Sequence, residues 1–411
     1  MTPEVKERIE QIRHGNVPEG YRRTKTDVVP IDWLDTLIAP YLCEYIEKTT
    51  IPNQHPVLTS ARKGLMLQTE YYSNRQVTTE DNVGYYVLPY GYVTFRSRSD
   101  DGRFRFNENK IIERGIISYF YPVFSFSSEV CHDYMLQLLN ETIYRRMYPY
   151  IEGTAQQVLS MKKLGQLVYS LPPLPEQQRI SNVLISQDKV IELKERLLVE
   201  KQRQKKYLMQ QLLTGKKRLP GFAGEWKTDK LGNLFAERVE TKCEHMELLA
   251  ITGTQGVIPR SWLDLKDNSS DDKSKYLHIC IGDIGYNTMR MWQGVSAYSN
   301  YEGIVSPAYT ILKPKEDICA KYFSYLFKLP EVVFLFYRFS QGLVDDTRNL
   351  KYENLKKIKV QFPSDKREQE AISKVFETAD KEIDLLQQDL EQEKQKKKAL
   401  MQLLLTGIVR V

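Results

Sequence analysis

The sequence predicts a mixed α/β (α+β) protein. Two similar globular domains are separated by two long helices that form an antiparallel coiled coil, and a pseudo-two-fold axis relates the halves. Three observations predict this. Glu176–Gly215 and Glu368–Gly407 repeat one another at a constant offset of 192 residues, with 19 of 40 positions identical. A period this long exceeds the roughly 20–50 residues of solenoids and propellers, which leaves one duplicated unit of domain plus helix. Fainter echoes precede each helix. Ser60-Ala61-Arg62-Lys63-Gly64 faces Thr252-Gly253-Thr254-Gln255-Gly256, Gly91–Arg96 faces Gly282–Asn287, and Gly115-Ile116-Ile117-Ser118 faces Gly303-Ile304-Val305-Ser306. Glycines and apolar residues persist where polar ones diverge, so the backbone frame was copied while the exposed chemistry was not.

Residues 1–26 read as a short helix and linker. Glu10–Gly15 followed by Gly20-Tyr21 echoes Gln210–Gly215 followed by Gly221-Phe222, so the start of the chain is expected to complete a cyclic arrangement with its end. Residues 27–170 and 219–363 break into short runs rich in Val, Ile, Tyr and Phe, punctuated by Gly, Asn and Asp, as mixed helix and strand require. Residues 171–218 and 364–411 are the helices. The first opens after Leu171-Pro172-Pro173-Leu174-Pro175 and the second after Phe362-Pro363; both close at Leu-Thr-Gly, where Gly215 and Gly407 can supply a left-handed cap.

Ile180, Leu184, Ile191, Leu198, Leu208 and Leu212 form the seam of the first helix. Ile372, Phe376, Ile383, Leu386, Leu390, Leu400 and Leu404 form that of the second. Forty residues at about 1.5 Å each make a rod of about 60 Å whose seam needs cover, and its own duplicate is the nearest partner. The basic runs Lys201, Arg203, Lys205, Lys206 and Lys394, Lys396, Lys397, Lys398 read first as solvated faces complementing the helix dipole, and second as phosphate contacts.

Bulk properties exclude several classes. At 41% apolar and 27% charged residues the chain has ordinary globular composition, and its length allows two or three cores. No run of about 18 apolar residues exists to span a membrane, and the charged first 20 residues lack the core of a secretory signal, so a cytoplasmic location is expected. Cys43, Cys131, Cys243, Cys280 and Cys319 form no CxxC pair, and His14, His55, His132, His245 and His278 form no i, i+4 pair. Neither a disulfide framework nor a metal site is expected. The net charge of +6 is compatible with nucleic acid without pointing to it.

The candidate binding residues are those that meet phosphates or base edges. In the first domain Lys63, Gln68, Tyr72, Arg75, Arg96, Arg98, Arg103 and Arg105 interleave basic and aromatic side chains. In the second they are Gln255, Arg260, Trp262, Asn287, Arg290, Trp292 and Gln293. The alternation Arg103-Phe104-Arg105-Phe106 fits a half-buried strand equally well, and loops are polar for other reasons. Catalytic patterns are missing. Ser306-Pro307-Ala308-Tyr309 lacks the second proline of the amino-methyltransferase motif, no glycine-rich loop for adenosylmethionine follows an early strand, and Thr214-Gly215-Lys216-Lys217 ends a helix rather than opening one as a P-loop does.

The proline-rich entries, the paired EQQRI and EQEAI, the closings KKYLMQQLLTG and KKKALMQLLLTG, and the blocks GDIGYNTMRMWQG and GIVSPAY together resemble the specificity (S) subunit of type I DNA restriction-modification systems, over essentially the whole chain. The resemblance implies two target recognition domains, residues 27–170 and 219–363, reading the halves of a split, asymmetric site in double-stranded DNA. The spacer helices would hold the readers about one duplex turn, roughly 34 Å, apart. It implies a non-catalytic chain that docks two methyltransferase (M) subunits and, in the full complex, two restriction (R) subunits. This chain would bind no cofactor; S-adenosylmethionine, ATP and Mg would sit on the partner subunits. The other reading is a protein-interaction scaffold whose aromatic-rich domains grip other proteins.

Overall fold

A computed structural model describes residues 2–61, 64–72, 81–147, 157–253, 255–263 and 272–411. The chain divides into two compact units, Met1–Leu193 with Leu390–Val411, and Lys194–Asp389.

The first unit carries a four-stranded antiparallel sheet in the order Phe106–Glu108, Val93–Phe95, Val123–Phe126, Leu42–Glu44. The second carries Ser296–Tyr298, Ile284–Asn287, Tyr309–Pro314, Phe235–Arg238, the same order built from the corresponding segments. Smaller pairs repeat too. Arg114–Ile117 with Tyr86–Pro89 is matched by Gly303–Val305 with Leu277–Ile279, and Val168–Leu171 with Leu34–Leu37 by Lys359–Pro363 with Trp226–Lys230. Gly115 and Gly303 occupy the same copied place against a copied leucine: a Cβ would fall 2.3 Å from Leu58 Cδ1 in one and 2.9 Å from Leu249 Cδ1 in the other, where the Glu247 carbonyl stands closer still at 2.4 Å. The sequence echo is therefore an echo of packing.

In the first unit the helix His132–Met147 lays Tyr134, Leu138 and Leu139 in one core with Phe95, Phe106 and Phe124. In the second, Ala320–Leu326 and Pro330–Phe339 do this with Tyr322, Phe323 and Phe336 against Phe235 and Tyr286. The central strands Val93–Phe95 and Ile284–Asn287 are buried along nearly their whole length, Thr94 included, so burial does not alternate along them.

The long helices span Leu174–Leu212 and Lys366–Leu404. In the first unit Ile180 and Leu184 meet Leu404 in the core, with Leu400 packed against it. In the second unit Leu212 and Leu208 meet Ile372 and Phe376. Ion pairs run Lys194–Asp389 at 2.7 Å, Lys201–Glu382 at 2.6 Å and then Lys205–Asp380, so residue numbers rise on one helix as they fall on the other and the pairing is antiparallel. In the first unit Lys397 reaches Asp188 at 2.5 Å. Ile383 and Leu390 are buried, and Ile191, Leu198 and Leu386 are half-buried. Lys201, Lys205 and Lys397 thus serve the opposite helix, which corrects both sequence readings of the basic runs at those three positions.

The helix starts are copied atom for atom. Gln177 Nε2 donates to the Pro172 carbonyl at 2.9 Å while its Oε1 accepts from the Cys131 amide at 2.9 Å; Gln369 does the same with Pro363 at 2.9 Å and Cys319 at 3.0 Å. Glu176 and Glu368, buried at 3% and 1% exposure, each take a two-pronged guanidinium, from Arg410 and Arg218 respectively. Each guanidinium lies just past the left-handed glycine that ends a long helix, Gly215 or Gly407, both at φ 72°. Those glycines press on Trp226 and Trp33, where a Cβ would stand 3.3 Å and 2.9 Å from the ring. In the first unit Tyr21 also donates to the Gly407 carbonyl at 2.9 Å, and Arg8 to Ile408 at 2.6 Å, so the chain's start packs on its end.

Candidate nucleic-acid interface

Strand geometry puts residues two apart on one side of the chain. Around the edge strand Phe106–Glu108 and the turn before it, this aims Arg96, Arg98, Arg103 and Arg105 into one cleft of 470 Å³, with Tyr72 on its wall. Tyr71 and Tyr121 complete the aromatic lining, Tyr71 and Tyr72 packing edge to face at 4.7 Å. All four arginines are exposed, and among the described residues none forms an ion pair with a carboxylate. Arg98 lies over Phe120 at 4.7 Å and Arg103 over Tyr144 at 5.6 Å, contacts that orient the guanidinium planes and leave their edges open. Four cations face one acid, Asp100, so the cleft attracts anions.

Not every candidate joins it. Gln68 is buried at 8% exposure, where it begins the short helix Gln68–Tyr71, and is withdrawn from the surface. Lys63 and Arg75 lie outside the described residues.

The second unit distributes its candidates differently. Gln255 lines a cleft of 750 Å³ in which Lys205, Lys321, Lys328 and Lys381 face Glu377, Asp380 and Asp384, a near balance of charge. Lys328 donates to the Gly294 and Ser296 carbonyls at 2.7 and 2.6 Å; burial, with Lys205 a lesser influence, pulls its ammonium down to about 8. Arg260 opens a short 3-10 turn ending at Trp262, which is 65% exposed and packs edge to face on Tyr301.

Asn287 spends its Oδ1 on the Met289 amide at 2.9 Å, and Trp292 gives its Nε1 to the Met289 carbonyl at 3.0 Å, so both hold the turn that presents Arg290 and Gln293 to solvent. Sequence reasoning missed the surface beside Trp292. Phe334 is 57% exposed and Tyr337 39% exposed, stacked at 14°, with Arg348 over Tyr337 at 4.1 Å and Leu343 almost fully exposed. A signal was there: Pro330–Phe339 is apolar nearly all round, more than Val332 and Phe336 need to bury.

Ser306-Pro307-Ala308-Tyr309 is a turn, with the Tyr309 amide donating to the Ser306 carbonyl at 3.1 Å ahead of the strand Tyr309–Pro314. The absence of metal-ligand spacing was read from contiguous motifs. Strand pairing instead gathers His278, Cys280 and Glu302, with Glu240 and Cys243 beside His278, a cluster no local pattern reveals.

A family model and two solved structures agree with this architecture. The model of the type I restriction modification DNA specificity domain matches twice, at residues 42–201 and 225–395. A chain from a structure described as the "structural basis underlying complex assembly and conformational transition of the type I R-M system" is similar at 15% identity and a TM-score of 0.54, over 93% of this chain and 99% of that one. The type I restriction-modification S subunit from M. genitalium is similar at 13% identity and a TM-score of 0.53, over 93% and 97%. The fold is shared across these chains although few residues are. With two copies of the specificity domain covering most of its length, the chain belongs to the type I restriction-modification DNA specificity family.

Proposed function

We propose that each globular domain, residues 27–170 and 219–363, reads one half of a bipartite, asymmetric site in double-stranded DNA, and that the paired helices set the gap between the halves. The observation that carries this reading is a copied frame bearing unlike surfaces: an arginine-rich cleft in one unit, and in the other exposed Trp262, Arg290 and Gln293. Arginine forks meet phosphates and guanine edges, glutamine meets adenine, and aromatic rings meet thymine methyls or sugars. Two unlike readers on one frame give an asymmetric site.

In this reading the chain performs no chemistry itself. Two methyltransferase subunits bring S-adenosylmethionine, and in the full complex two restriction subunits bring ATP and Mg. A duplex library captured by the chain together with its methyltransferase is expected to yield one bipartite motif, with affinity falling steeply as salt rises. Capture without a common motif overturns the reading.

A further inference from the structure

We propose that the second unit holds a binding site for a thiophilic divalent cation of the zinc class, with His278, Cys280 and Glu302 as ligands and Glu240 positioning the imidazole. His278 lies on the strand Leu277–Ile279, opposite Ile304 of Gly303–Val305, and Cys280 follows two residues later on the same side. Glu302 immediately precedes the partner strand, so antiparallel pairing brings all three side chains together. His278 Nε2 stands 3.1 Å from Glu302 Oε1 and 3.7 Å from Cys280 Sγ, and the sulfur stands 3.9 Å from the same carboxylate oxygen. Ligands held about 2.0–2.3 Å from one zinc ion at tetrahedral angles stand about 3.3–3.8 Å from each other, so an ion fits among these atoms with shifts of tenths of an ångström.

The far side of the imidazole supplies an independent observation. His278 Nδ1 lies 3.0 Å from Glu240 Oε2, the carboxylate partner that fixes a metal-binding histidine in the tautomer with Nε2 free to coordinate. His278 itself is buried at 7% exposure, so its ring is held in place before any ion arrives. Cys243 Sγ groups with Glu240 and His278 within 4.8 Å, behind Lys242, which adopts a left-handed φ of 64°. Arg238 is held mainly by Asp283 at 2.8 Å and also reaches Glu240 Oε2 at 3.5 Å, so it steadies the positioning carboxylate, and Asp283 also accepts the Cys280 amide at 2.9 Å. On binding, the Cys280 thiol gives its proton to water, leaving a thiolate and a carboxylate to offset the ion's charge, so affinity falls as pH falls.

Two carboxylates flanking one histidine also fit a simple imidazolium clamp. In that case Cys280 has no part, and this difference decides the test. The full chain, stripped with chelator under reductant, is titrated with cobalt(II) alone. A cobalt–thiolate charge-transfer band is expected, saturating at one ion per chain, displaced by zinc, absent in Cys280→Ser and present in Cys319→Ser. Glu240→Gln, which removes no ligand, is expected to weaken binding about 10–100-fold and so keeps the test informative if Cys280→Ser fails to fold. No thiolate band, or a band unchanged in Cys280→Ser, overturns the site.

One consequence rests on the DNA reading: Glu302 follows Tyr301, which backs the exposed Trp262, so the ion would stiffen that candidate contact. Cobalt binding without DNA selection would refute the DNA reading alone.

Discussion

A carboxylate as buried as Glu176 or Glu368 needs a charged partner, and each finds one in a guanidinium sent back from the end of a long helix. Removing one side strands the other. Glu368→Ala is predicted to lower stability by about 2–3 kcal/mol by urea denaturation, below the ~3–5 kcal/mol of a fully buried pair because Arg218 keeps 27% exposure. The Glu-Gln pair was legible as an identity in the repeat, but its role was not, since Arg218 lies 150 residues from Glu368. The cleft arginines were legible as types and only the fold brought them together. Arg96→Gln in the methyltransferase-loaded complex is predicted to weaken DNA binding about tenfold and to reduce the logarithmic salt slope by about 0.9, as loss of one phosphate contact requires. An unchanged slope would remove Arg96 from the interface. Lys328 offers a pH test. Its folded pKa of about 8 lies below its ordinary 10.5, so the native state binds fewer protons than the unfolded chain between those values and gains stability as pH rises through them. Wild type is therefore predicted to gain on Lys328→Met between pH 7 and 10, keeping both carbonyl hydrogen bonds through its neutral amine.

The long helices were the most legible elements because an apolar period of three and four residues leaves few alternatives. The glutamine that stands between the seam positions Leu184 and Ile191 is visible in the sequence without its meaning. Gln187, buried at 6% exposure, donates to Glu393 Oε2 at 2.7 Å in the first unit, a pairing satisfied only when the helices are in register. Gln187→Ala is predicted to cost about 1–3 kcal/mol, the range for losing a hydrogen bond to a charged acceptor, with Lys396 still 3.5 Å from Glu393 Oε2. Ile383→Ala, deleting a buried seam side chain, should cost about 2–5 kcal/mol in thermal or urea melts. Full stability in the Ile383 variant would mean that the seam is not packed. The helix Pro330–Phe339 was less legible, because its exposed Phe334 and Tyr337 follow the same period as its buried residues and periodicity alone does not say which apolar face meets water. The His278 cluster escaped for a similar reason: strand pairing brings Glu302 to His278 across 24 residues of sequence, and no local spacing shows it.

For the whole chain, duplication determines what can be inferred. Two four-stranded sheets of the same order, two copied helix starts and two copied glycine–tryptophan contacts establish that one unit was made twice. The frame could be read because packing constrains glycine and apolar positions alike in both copies. The readers could not, because solvent-facing residues carry no such constraint and diverged. If those surfaces read DNA independently, they are separable. The most direct test replaces residues 27–170 with the same domain of a relative and maps methylated positions across a genome carrying the chimera. One half of the methylated sequence should change while the other half and the gap stay as they were; a change in both halves, or in neither, would contradict the account.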